Sequence, residues 1–104
     1  MWLFTKNSFV SVVADRNSAH NLIVRSRVKS HLTRLFPRRQ IIELDDADYR
    51  FRLIVAKQEL ADRISAYILQ NLDYDNFKAA QKADDPAWSR FLHAVWSEGL
   101  RLQK

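Results

Sequence analysis

Asn21-Leu22-Ile23-Val24-Arg25-Ser26-Arg27-Val28 and Tyr49-Arg50-Phe51-Arg52-Leu53-Ile54-Val55 are the two runs whose reading decides the fold of this chain. Residues two apart share a face of a β-strand. As strands, both runs bury an apolar row and turn paired guanidiniums, Arg25 with Arg27 and Arg50 with Arg52, the other way. Outward from them, Phe9-Val10-Ser11-Val12-Val13 is β-branched and aromatic. Asp15-Arg16-Asn17-Ser18 after it is turn chemistry, which predicts a hairpin with the run from Leu22 to Val28. Trp2 to Thr5 reads as a further short strand or as an extension. Ile41 to Leu44 and Tyr49 to Val55 read as a second strand pair around the acidic turn Asp45-Asp46-Ala47-Asp48.

Helical signals separate and follow these pairs. Ser30 is placed to cap a short helix whose Leu32, Leu35 and Phe36 share a face, and Pro37 stops it. From Lys57 the period lengthens, with Leu60, Ile64, Tyr67 and Ile68 on one helical stripe. The chain therefore admits a ββα duplication, in which a shift of 28 carries Lys29 onto Lys57, Leu32 onto Leu60 and Phe36 onto Ile64. In the last third, Asp75 offers a cap for a short helix, and Asp85-Pro86 starts a longer one carrying Trp88, Phe91, Leu92, Val95, Trp96 and Leu102. Gly99, the one glycine in the protein, suggests close packing or a break near the helix end. The expected fold class is α+β: a two-layer sandwich of an antiparallel sheet with helices on one face, a helical C-terminal third, and residues 1–104 as one domain.

Composition narrows the chemistry. With 104 residues, 47% hydrophobic and 28% charged, the chain is long enough to bury a core and has a globular balance. No cysteine is present, which excludes disulfides, thiolate catalysis and cysteine-held metal. One glycine excludes the glycine-rich loops that cradle nucleotide phosphates. The start at Met1-Trp2-Leu3-Phe4 lacks a basic region followed by a long apolar stretch, and no segment has the roughly 20 apolar residues of a membrane span. A cytoplasmic location without membrane contact is the expectation. His20, His31 and His93 stand apart in sequence, with no metal-ligand spacing, and read as surface or capping residues. Glu43, Asp45, Asp46 and Asp48 form the only carboxylate cluster suited to an ion, but short acidic side chains in a turn bond their own backbone, which is their ordinary use.

The opening Met1-Trp2-Leu3-Phe4-Thr5 with Phe9-Val10-Ser11-Val12-Val13, then Val24-Arg25-Ser26-Arg27, Asp46-Ala47-Asp48-Tyr49, Tyr74-Asp75-Asn76-Phe77-Lys78 and Val95-Trp96, resemble a family of short bacterial proteins of unknown function. The chain is shorter than that pattern between Phe36 and Ile41. The resemblance implies a bacterial, cytoplasmic setting; it implies no activity and no catalytic residue.

A formal charge of +5 suits nucleic acid or an acidic protein as partner. The expected function is a non-enzymatic binding module that holds the phosphate backbone of nucleic acid on Arg25, Arg27, Arg50 and Arg52. Phe9 shares their face if Ser11 marks it, a layout like that of sheet-based RNA binders. Solvation of the arginines, or their pairing with Glu43, is the plainer alternative for those charges. A second reading is a protein-interaction or regulatory module, as a homodimer for instance, with Trp88, Phe91 and Trp96 at the interface. An enzyme using the acidic turn comes third. No metal or other cofactor is implied.

Overall fold

The computed structural model describes residues 1–80 and 85–103, which fall into two compact units, Met1–Asp73 and Tyr74–Lys104. In the first unit, strands β1 (Trp2–Thr5), β2 (Ser8–Ala14), β3 (Asn21–Ser26), β4 (Ile42–Glu43) and β5 (Phe51–Ala56) form one antiparallel sheet in the order β1-β2-β3-β5-β4. Helices α1 (Lys29–Leu35) and α2 (Lys57–Asn71) complete the unit. This is the expected α+β class.

Alternation along the central strands builds the core. Val12, Val24 and Leu53 lie side by side on β2, β3 and β5, and together with Val10 and Val55 they meet Leu32, Leu35 and Phe36 from the α1 segment and Leu60 from α2. Both helices thus cover the same sheet face. Each such side chain contributes about 1.5–3 kcal/mol by leaving water, so this face dominates the stability of the unit. Polar groups buried with it are paired: the Oγ atoms of Thr5 and Ser8 bond each other, Ser26 Oγ donates to the Phe9 carbonyl at 3.3 Å, and the buried His31 accepts the Phe9 amide N–H on Nδ1 at 3.1 Å.

Some local expectations are corrected. The N-cap of α1 is Val28, with no side-chain cap, so Ser30 is already inside the helix, where its carbonyl accepts from Thr33 Oγ1. On α2, Leu60, Ile64 and Tyr67 face the core, but Ile68 is exposed because the packed stripe ends before it. The repeat is one of element order only. Two residues separate β3 from α1 and none separates β5 from α2, so the shift that aligns Lys29 with Lys57 puts Arg25 on Leu53, which faces the opposite way.

In the second unit, α3 (Phe77–Ala80) is capped by Asn76, whose side chain accepts from the Ala79 amide, and not by Asp75. Helix α4 (Pro86–Leu100) begins as its sequence dictates: Asp85 accepts the Trp88 amide N–H at 3.2 Å, and Pro86 occupies the first turn, where no amide hydrogen is needed. Gly99 is not there for close packing, since a Cβ built on it meets nothing within 4 Å.

Two consequences can be measured. Leu53→Ala should cost about 2–5 kcal/mol in urea unfolding, while Ile54→Ala, on the opposite face and 40% exposed, should cost about 1 kcal/mol or less. Gly99→Ala should stabilise α4 by about 0.5–1 kcal/mol, visible as increased helical circular dichroism on heating, because its φ is not in the positive region and the space is open.

Candidate functional site

The face of the sheet turned away from α1 and α2 carries a row that crosses all five strands. Trp2 pairs with Ser11, Ser11 with Arg25, Arg25 with Arg52, and Arg52 with Ile42. The apolar residues beside each arginine dictate this juxtaposition. Because Val24 and Leu53 must both enter the core as direct partners, the next pair along, Arg25 and Arg52, must both point away from it and lie opposite one another. Like charges in directly opposed positions of a sheet are destabilising, by about 0.2–1 kcal/mol.

Among the described residues no carboxylate pairs with either of them. Arg25 donates from Nη2 to Ser11 Oγ at 2.8 Å, and Arg52 from Nη2 to the Tyr49 carbonyl at 3.1 Å. Both Nε–H groups are buried without an acceptor, and no salt bridge of the described residues involves either side chain. Each of these half-buried guanidiniums is thus held by one hydrogen bond and leaves its buried Nε–H unpaired.

Tyr49 holds the third cation in place. Its buried ring has the Arg25 guanidinium carbon 4.6 Å and the Arg27 guanidinium carbon 4.5 Å from its centroid, so one aromatic ring serves two cations. Arg27 lies just past the end of β3 and is exposed; its Nε donates to the Asp48 carbonyl at 3.3 Å. The Tyr49 amide donates to Asp48 Oδ1 at 2.9 Å, so the acidic turn presents the ring by bonding its own backbone.

Of the residues expected to form the site, the fold assembles Arg25, Arg27 and Arg52. Arg50 is drawn elsewhere: it ion-pairs with Glu43 at 2.8 Å and Asp45 at 3.0 Å, which neutralises it at the hairpin end. Phe9 does lie on the same face, but at 6% exposure its ring is packed among Phe4 (stacked, 4.5 Å between centroids), Trp2 (edge-on, 5.8 Å) and Tyr49 (6.4 Å). It supports the site from beneath and offers no ring to a ligand. The exposed ring on this face is Trp2, at 67%. Sequence reasoning placed Ser11 on this face but missed Trp2 and Tyr49. Alternation from Phe9 and Ser11 could have found the first only with the β1–β2 register in hand.

Elsewhere, basic residues act as structural ties. Arg63 donates from Nε to the Leu35 carbonyl at 2.6 Å, closing the end of α1, and Arg39 joins Glu59 at 2.7 Å and the Ile54 carbonyl at 2.8 Å. Arg34 donates to the Asn7 carbonyl. Among the described residues no three of His, Asp and Glu gather as a metal site would need, and no helix of the described residues is long and apolar enough to cross a membrane.

The clamp at Tyr49 makes a direct prediction. Tyr49→Phe should leave stability within about 0.5 kcal/mol of the parent protein. Tyr49→Leu, which loses the ring and both cation contacts, should cost about 2 kcal/mol or more in urea unfolding. Comparison of the chain with family models, with curated proteins and with solved structures finds no match. What the site does is a matter of its own geometry and charge.

Proposed function

We propose that the protein is a non-enzymatic nucleic-acid-binding module whose contact surface is the sheet face bearing Arg25, Arg52 and Arg27. The observation that carries this reading is the directly opposed Arg25 and Arg52 pair, half-buried and with no carboxylate partner among the described residues. Such an arrangement costs the free protein energy that an anion bridging the two guanidiniums would return, since charge-assisted bonds from arginine to phosphate are among the strongest available. Phosphates repeated along a backbone suit three cations spread over neighbouring strands better than one isolated anion does. Backbone contacts of this kind carry no sequence information.

Because Arg50 is neutralised by Glu43 and Asp45, three phosphate contacts are expected. The logarithm of the binding constant should fall against the logarithm of salt concentration with a slope of about −3 on duplex, or about −2 on a single strand. Fluorescence anisotropy with labelled oligonucleotides measures it. Arg25→Glu combined with Arg52→Glu should abolish binding, whereas Arg50→Glu should weaken it much less. A protein that shifts neither DNA nor RNA at low salt, or an Arg50→Glu variant as impaired as the double variant, would overturn the proposal.

A second reading rests on α4. Trp96 is 45% exposed, and Val95, Leu100 and Leu102 are exposed with it, while Trp88 and Phe91 are half-buried. Exposed tryptophan beside aliphatic side chains is the composition of an interface core. Light scattering across a concentration series should then report a dimer that Trp96→Ala returns to monomer.

A further inference from the structure

On the basis of the nucleic-acid reading above, we infer that the strand form recognised is single-stranded, with Trp2 as a stacking platform for an unpaired base. Three observations on the same face combine. Trp2 stands in the same cross-strand row as Ser11, Arg25 and Arg52, two strands from Arg25 and so roughly 10 Å away across the sheet. Its ring is braced edge-on by Phe9 and remains exposed. Immediately beside this row runs an apolar one, Val13 opposite Ile23 opposite Ile54, of which Val13 and Ile54 are exposed.

The charge and the apolar surface decide the strand form together. A duplex turns its phosphates outward and keeps its bases stacked inside, so a flat sheet face would set an exposed indole and two aliphatic side chains against a charged backbone. That contact removes water from both without replacing its hydrogen bonds. A single strand offers base faces for the indole and the aliphatic row, and phosphates for the arginines, on one side of one chain. The opposed guanidiniums fix the backbone and the braced indole takes the base. The site itself offers three guanidiniums for backbone contact, so stacking supplies the discrimination between the two forms.

Anisotropy of a labelled oligothymidylate on the order of 12 nucleotides, compared with the same strand annealed to its complement, tests this at low salt. Roughly tenfold tighter binding to the single strand is expected. Trp2→Ala should lower single-strand affinity roughly 5- to 100-fold, the loss of one stacked base, and leave duplex binding unchanged; Trp2→Phe should restore most of it. Trp2 is exposed, so these variants are expected to fold, and urea unfolding checks that they do. If the duplex binds as tightly as the single strand, or if Trp2→Ala leaves the single strand bound as before, the inference fails while nucleic-acid binding stands. If neither form is bound, both fail together.

Discussion

The antiparallel pairing of β3 with β5 constrains everything else in the sheet. Its register puts Val24 against Leu53 in the core, and Leu22 against Val55 one step along. A slip by one residue would bring Arg25 or Arg52 beneath the helices and expose the apolar row. Burying a guanidinium there without a partner would cost more than any single contact in the unit returns. The same apolar demand that holds the register therefore forces two cations into direct opposition on the outer face. The energetic penalty at the candidate site is a by-product of the interaction that stabilises the core.

The basic residues divide by what surrounds them. Arg63 reaches the carbonyl of Leu35 at the end of α1, Arg39 the carbonyl of Ile54 on β5 and the carboxylate of Glu59, and Arg34 the carbonyl of Asn7 at the β1–β2 turn. Arg50 meets two carboxylates presented by its own hairpin. These contacts tie α1 and the connecting segments to the sheet. Arg25, Arg27 and Arg52 are held instead by a serine hydroxyl, backbone carbonyls and the face of Tyr49, all of which orient a guanidinium without neutralising it. An aromatic ring shared by two cations keeps both charges available and limits the side-chain freedom they would otherwise lose on meeting an anion.

Net charge alone therefore says little about this protein. The formal excess of five is spread over a molecule in which many cations already have structural work. Location matters more than number. Three guanidiniums without a carboxylate partner among the described residues, beside an exposed indole and an aliphatic row, form a surface that is cationic and apolar at once.

Local chemistry was sufficient for much of the architecture. Alternation over Asn21 to Ser26 and Phe51 to Ala56, the turn residues Asp15 to Ser18, Pro37 after α1, the change of period at Lys57, and Asp85 with Pro86 at the start of α4 each act within a few residues. The sequence by itself therefore determined the strands, the helices, the α+β class and the fact that Arg25 and Arg52 face away from the core. It marked the β2–β3 and β4–β5 pairs through their turns but did not determine that β3 and β5 are neighbours, because hydrogen bonds of a ladder are made by backbone groups that every residue shares. Only the tertiary structure decided that Arg25 lies opposite Arg52, that Arg50 is claimed by Glu43 and Asp45, that Phe9 lies beneath other rings while Trp2 is exposed, and that Tyr49 serves two cations. Each of these depends on residues between 5 and 40 positions apart in the chain, brought together by burial of the apolar face.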